Sequence, residues 1–239
     1  MKLQGRVAII TGASSGVGYE AARLLAHEGA IVAAAARRRD KLEWLVGEIA
    51  GDGGQALAIP TDVTDSAQVA RLVDSAYNLF GRVDILINAA GVISKIAPIE
   101  QFADHDFRAI IDTNLSGAFY AARAAIPHMK RQRSGTIVNI SSRVGKVGVA
   151  NIAPFCAAKF ALSGLGQSLA AELRPFNIYV TTLFPGMINT DIHPLNPSEE
   201  FRRQLMTARD VAEAVLWTCT LPPSLRVDEL PLMPRQIDM

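Results

Sequence analysis

The stretch TGASSGVG, residues 11–18, constrains the fold of this chain more than any other. It follows RVAIIT (6–11), a continuous apolar run that reads as a fully buried strand. It leads into Val17, Ala21, Leu24 and Leu25, which recur at helical spacing. In a strand–turn–helix unit each glycine has a reason. Gly12 permits the sharp turn, Gly16 lets backbone approach a pyrophosphate, and Gly18 lets the helix pack against the strand. The helix start then offers unpaired N–H groups and the positive end of a dipole. Gly12, Ser14, Ser15, Gly16, Val17 and Gly18 are therefore candidate nucleotide contacts. An ordinary βα turn would look similar in isolation, but this one opens a long alternating pattern.

That pattern continues with strands at 30–36, 55–63, 83–91, 135–141 and 178–185 and a last short one in DELPLM (228–233). Helical periodicities lie between them. Val69, Leu72, Val73, Ala76, Tyr77 and Phe80 follow the i, i+3, i+4 rule. Further helices are expected at 40–50, 104–132, 154–173 and 209–219. Such alternation predicts an α/β, Rossmann-type, doubly wound parallel sheet with helices on both faces. With 239 residues, 49% of them hydrophobic, the chain suits a single domain, 1–239, with one substantial core. A net charge of +1 gives no field for nucleic acid or a membrane surface. The apolar start ends too soon for a signal peptide, and no apolar run approaches the ~18 residues of a membrane span. A soluble cytoplasmic protein is expected. Cys156 and Cys219 have no metal-ligand spacing, so no metal site is expected.

The end of the second strand bears on cofactor choice. An acidic residue there would bind a ribose 2′-hydroxyl. The chain instead has Ala36 followed by Arg37, Arg38 and Arg39. A guanidinium suits a 2′-phosphate, which points to NADP(H), with Arg37 as the main contact and Arg38 beside it. At least one of the three arginines is simply a solvated helix start. Asp62 and Val63, ending the third strand, would place a carboxylate near an adenine amino group.

In NIAPFCAAKFAL (151–162), Lys159 stands one helical turn after Phe155. Hydride arriving at a carbonyl carbon makes an alkoxide, which an acid must quench. A phenol beside an ammonium does this near neutral pH, whereas phenylalanine has no proton to give.

The motifs TGASSGVG, DV (62–63), NAAG (88–91), Asn114 in DTNLSG, NISS (139–142), Lys159 and PGMINT (185–190) occur in one order. In this the chain resembles the short-chain dehydrogenase/reductase family along essentially its whole length. The tail RVDELPLMPRQ also resembles NADP-dependent members acting on small hydroxy acids, 3-hydroxy amino acids or clavulanate-type aldehydes. The resemblance implies hydride transfer between a nicotinamide and a small alcohol/carbonyl substrate. It assigns Asn114 to a local helix bend and a water-held proton relay, and Ser142 to the substrate oxygen. It assigns Lys159 to the nicotinamide ribose and to lowering the pKa of an adjacent acid. Asn88, Ala89 and Gly91 would line the middle of the cofactor. Pro185, Gly186, Ile188 and Thr190 would lie beside the nicotinamide, with Thr190 anchoring its carboxamide. Phe155 occupies the position of the family's proton-donating tyrosine. Three accounts are open: a substituted and crippled enzyme, a native protein that only binds or senses NADP, or a variant mechanism.

Arg143 follows Ser142 and would pair with a substrate carboxylate if it faces the site, or point to solvent if it does not. Val144, Ile152, Met187 and Ile93 would wall a modest, partly apolar pocket, and 189–208 would form a lid over it. His193, inside that lid, is given no role. Phe102, Phe107 and Phe119, and Phe160, Leu165 and Leu169, read as core or subunit contacts. The alanine-rich helices suggest a homodimer or homotetramer.

Overall fold

A computed structural model describes residues 1–190, 192 and 198–235. His193 and part of the expected lid lie outside the described residues. The elements alternate as the periodicities require. In order they are β1 (Val7–Thr11), α1 (Gly16–His27), β2 (Ile31–Ala36), α2 (Arg39–Gly51), β3 (Gln55–Pro60), α3 (Ser66–Phe80) and β4 (Ile85–Asn88). Then follow α4 (Asp104–Ile111), α5 (Gly117–Gln132), β5 (Gly135–Ile140), α6 (Ala153–Leu173), β6 (Ile178–Pro185), α7 (Glu199–Arg202), α8 (Ala208–Cys219) and β7 (Glu229–Leu232).

The strands form one seven-stranded sheet in the order β3-β2-β1-β4-β5-β6-β7, and every pairing is parallel. Alternate residues of each strand serve opposite faces. Ala8, Ile10, Ile87 and Val138 pack with residues of α1, α2 and α8. Ile9, Leu86, Ile137 and Val180 pack with α3, α5 and α6. Both faces are thus covered, which is why the strands read as continuous apolar runs rather than alternating ones. The chain reverses its winding between β1 and β4, and the crevice beyond the strand ends at such a switch point is where this architecture takes ligands.

Local chemistry sets the boundaries. Asp65 caps α3 by accepting from the N–H groups of Ala67 and Gln68, and Gly81 ends the helix at φ 73°. Thr207 and Asp210 form a reciprocal capping box on α8. The third and fourth strands stop at Pro60 and Asn88, short of the expected 63 and 91. The expected helix over 104–132 is interrupted by a π-helical turn, Asp112–Ser116, between α4 and α5. The segment after β6 is anchored at its base by a parallel bridge between Ile188 and Met206. Asn189 N–H donates to Met206 O at 2.8 Å. Among the described residues no helix is long and apolar enough to cross a membrane.

Candidate functional site

The glycine turn at the end of β1 is built as the spacing requires. Gly12 has φ +71°, and a β-carbon there would lie 2.7 Å from Ala90 N. One on Gly18 would lie 2.5 Å from Gly12 O, so α1 packs directly onto the turn. Gly16, at φ +57°, has more room: its β-carbon position faces Thr190 Cγ2 at 3.5 Å. Ser15 precedes α1 in extended conformation and makes no side-chain cap bond, which leaves the first N–H groups of the helix available to an anion.

Arg38 lies across this turn. Its guanidinium donates to Ser14 Oγ at 2.9 Å and to Ser15 Oγ at 3.1 Å. Arg37, expected as the principal cation, is exposed and makes no hydrogen bond or ion pair among the described residues. Asp62 is engaged locally: its Oδ1 accepts from the N–H and the hydroxyl of Thr64 at 3.0 and 2.8 Å. The Val63 side chain is buried against Gly117, where a β-carbon would come within 2.9 Å of it.

Asn114 sits in the π-helical turn and is buried. Its Nδ2 donates to Ile110 O and to Val92 O, both at 2.9 Å, and its Oδ1 accepts from Val92 N–H at 3.3 Å. The side chain thereby takes the carbonyl that an α-helical N–H would have bonded. It also ties the helix to the loop after β4.

Lys159 projects from α6 into the protein and is 4% exposed. Its ammonium donates to Ile140 O at 2.9 Å and lies 5.4 Å from the Phe155 ring centroid. Burial pulls its pKa down from 10.5 to about 8. The lysine backbone is pinned too. Ser163 Oγ, one turn on, and Ser141 Oγ donate to Lys159 O at 2.8 and 3.2 Å. Ser141 lies in the NISS motif, whereas Ser163 belongs to no motif and only its i+4 spacing from Lys159 signals it. Phe155 is buried with Ile110 and Ala158, and Ile93, Phe102, Ile111, Val144 and Ile152 pack around that cluster.

Ser142 follows Ile140 by two residues. Its Oγ accepts from Val144 N–H at 3.3 Å and reaches Pro185 O at 3.5 Å. Arg143 is half-buried and bonded within the fold. Asn88 faces inward: its amide donates to Asn139 Oδ1 at 2.9 Å. Strand register joins Thr11, Asn88, Asn139 and Thr182 into one buried polar row across four strands. Of the aromatic stripes, Phe102 joins the Phe155 cluster, whereas Phe107, Phe119 and Phe160 are exposed.

Gathered at the switch point are a glycine turn with open helix N–H groups, an arginine above it, a buried ammonium, and a strand-end serine. Residues 6–200 match the family model described as short chain dehydrogenase. The chain belongs to that family. Among relatives of the short-chain dehydrogenase, an uncharacterized oxidoreductase of Staphylococcus aureus (strain N315) is 36% identical over 233 residues, covering 97% of this chain and 98% of that protein. A metagenomic short-chain oxidoreductase, solved in complex with NADP, superposes with a TM-score of 0.87 at 32% identity, covering 99% and 100% of the two chains. An alcohol dehydrogenase from the archaeon Thermococcus sibiricus, complexed with 5-hydroxy-NADP, gives 0.91 at 27% identity, covering 98% of each chain.

Proposed function

We propose that this short-chain dehydrogenase is an NADP(H)-dependent oxidoreductase acting on a secondary alcohol/carbonyl pair, and that Phe155 leaves it a slow catalyst. The observation that carries the reading is the buried Lys159 ammonium beside Phe155, at the end of the sheet where the glycine turn opens. A buried ammonium with one hydrogen-bond acceptor among the described residues suits a polyhydroxyl ligand such as a ribose. The turn suits a diphosphate, because a β-carbon on Gly12 would strike backbone and the first N–H groups of α1 are open.

In this reading Gly12, Ser14, Ser15, Gly16, Val17 and Gly18 hold the diphosphate. Arg38, joined by Arg37, takes a 2′-phosphate, with Arg38 the better placed of the two. Asp62 and the Val63 backbone serve the adenine. Asn88 and Ala89 support the middle of the site from the strand end, and Gly91 keeps it narrow. Pro185, Gly186, Ile188 and Thr190 border the nicotinamide. When bound, the reduced nicotinamide supplies a hydride. Ser142 donates a hydrogen bond to the substrate oxygen, and Val144, Ile152 and Met187 exclude water around it. Arg143 favours substrates that carry a carboxylate. Exposed Phe119 on α5 and Phe160 on α6 support assembly through those helices into a dimer or tetramer.

Phe155 has no hydroxyl to protonate a developing alkoxide. A positioned acid contributes ~10²–10⁴-fold, or about 3–5 kcal/mol of barrier. Phe155→Tyr should therefore raise carbonyl reduction by about 10²–10⁴-fold, measured as NADPH oxidation over a panel of ketones and aldehydes, with NADPH affinity changed by less than about threefold. A variant that binds NADPH and stays inert over the whole panel would mark the chain as a silent NADP-binding or sensing protein.

A further inference from the structure

Ser142 is the last residue before a single 3₁₀-helical turn, Arg143–Gly145. Two hydrogen bonds close this turn on itself: Gly145 N–H donates to Ser142 O at 2.8 Å, and Lys146 N–H to Arg143 O at 2.9 Å. A displacement of Lys146 is therefore carried to Ser142 through bonded backbone. On its inner side the turn has no room to move. A β-carbon on Gly145 would lie 2.7 Å from Ser141 Oγ and 2.8 Å from Lys159 O, and Ser163 Oγ donates to Gly145 O at 3.4 Å. The Ser142 hydroxyl itself has only long bonds, from Val144 N–H at 3.3 Å and to Pro185 O at 3.5 Å. Its aim depends on the turn.

The outer side of that turn is held from the last strand of the sheet. Glu229 opens β7, an edge strand, opposite Thr182 of β6. Its Oε2 accepts from Lys146 Nζ at 2.6 Å, and its Oε1 accepts from Gln167 Nε2 of α6 at 2.8 Å. Lys146 Nζ also stands 4.4 Å from the ring centroid of Phe184, which is buried in β6 directly before Pro185. A lone ion pair with side chains 43% and 33% exposed contributes little. Here one carboxylate bonds two elements at once and the ammonium is seated on an aromatic face, so the pair is fixed in geometry as well as in charge. The strand that carries Glu229 is fastened to β6 on either side of it. Thr182 N–H donates to Asp228 O at 2.9 Å, and Gly186 N–H to Leu232 O at 2.8 Å.

We propose that Glu229 is a positioning residue: through Lys146 it holds the turn that aims the Ser142 hydroxyl at the substrate oxygen, while Gln167 fixes the carboxylate. The inference rests on the hydride-transfer reading above, which gives Ser142 that role. It makes the edge strand a part of the substrate side of the site. Arg38 follows β2, on the opposite half of the sheet, so the 2′-phosphate end of the cofactor does not depend on Glu229.

The test compares Lys146→Met, Glu229→Leu and the double variant, each in the full chain. Amide hydrogen exchange, read by mass spectrometry on peptides covering 142–150, should quicken at least about tenfold in either single variant and no further in the double one. Peptides from β1 and α3 should be unchanged. This readout requires no substrate. Exchange that stays slow over 142–150, or single-variant effects that add, overturns the proposal. Activity follows with Glu229→Leu placed in the Phe155→Tyr protein, on the ketone that Phe155→Tyr reduces fastest. There kcat should fall about tenfold to a hundredfold, the scale of an ångström-sized misplacement, with NADPH affinity changed by less than about twofold. An unchanged kcat overturns the proposal, and so does an equal loss of NADPH binding. A Phe155→Tyr protein that binds NADPH and reduces no carbonyl would instead defeat the hydride-transfer reading, a separate result from the exchange measurement.

Discussion

Replacing Lys159 by methionine should stabilise the fold. The lysine is wholly buried and has no carboxylate partner among the described residues, so its charge is a cost that the folded state carries and the unfolded state does not. Folding lowers its pKa from 10.5 to about 8. At ~1.4 kcal/mol per pH unit, that gap corresponds to about 3 kcal/mol. Methionine keeps the length and apolar stem but forfeits the hydrogen bond to Ile140 O, worth about 1 kcal/mol. The net gain at pH 7 should be about 2 kcal/mol. The sign can be followed with pH. Between about 8 and 10.5 the unfolded lysine still holds a proton that the folded one has lost, so the unaltered protein gains stability as pH rises through that window. The advantage of Lys159→Met should therefore be full below 8 and should vanish by about 10.5. Urea denaturation of both proteins from pH 7 to 10.5, taken as a difference, isolates this group. A methionine variant less stable than the unaltered chain at pH 7, or a difference independent of pH, would refute the reasoning. A charge kept at such a cost is what a working site requires, since stability and activity commonly oppose each other at functional positions.

Two further predictions concern the frame around the site. Gly12→Ala combines a positive φ with a β-carbon 2.7 Å from Ala90 N, and should cost about 2–5 kcal/mol in urea denaturation. A loss below about 1 kcal/mol would mean that the turn has other conformations open to it. Asp84 is buried at the start of β4, where its carboxylate meets Arg82 and Arg6 at 2.6 and 3.0 Å and accepts from Val7 N–H at 2.9 Å. Burial alone would raise its pKa, but those bonds, Arg82 foremost, hold it below 3.8. Its contribution is thus present above 3.8 and lost as pH falls through the lower folded value. Asp84→Ala should cost about 3 kcal/mol at neutral pH, and the difference from the unaltered chain should shrink only in acid.

Much of the architecture was legible because a doubly covered sheet leaves a coarse signature. Ile9 and Ile10 are both buried on opposite faces, so the strand reads as one apolar run. The glycine turn was equally plain, since Gly12, Gly16 and Gly18 answer to local steric demands. Less visible were features made by side chains meeting backbone at a distance. The π-helical turn at 112–116 leaves the apolar spacing of 104–132 nearly intact; only the family resemblance, which assigns Asn114 to a local helix bend, pointed to it, and the bond that makes it runs from Asn114 to Ile110 O. The third strand stops at Pro60, opposite Ala36, the last residue of β2, and Asp62 then accepts from the Thr64 hydroxyl, a bond that no hydrophobic pattern records. Asn88 belonged to a glycine-rich motif, yet its amide is bonded inside the sheet to Asn139, where strand register rather than sequence spacing makes the pair. Which of the consecutive arginines reaches the glycine turn was likewise undecidable from composition. Arg38 does so through the orientation it takes just before α2.

The central claim is that the glycine turn, Arg38 and Lys159 together form an NADP(H) site. Isothermal titration of the unaltered chain with NADPH, and separately with NADH, tests it most directly. The account predicts saturable binding of one NADPH per chain, at least about tenfold tighter than NADH because charge-assisted bonds to a phosphate contribute about 1.5–3 kcal/mol. No heat of binding with either dinucleotide would contradict the site itself, and equal affinity for the two would contradict the part given to Arg38.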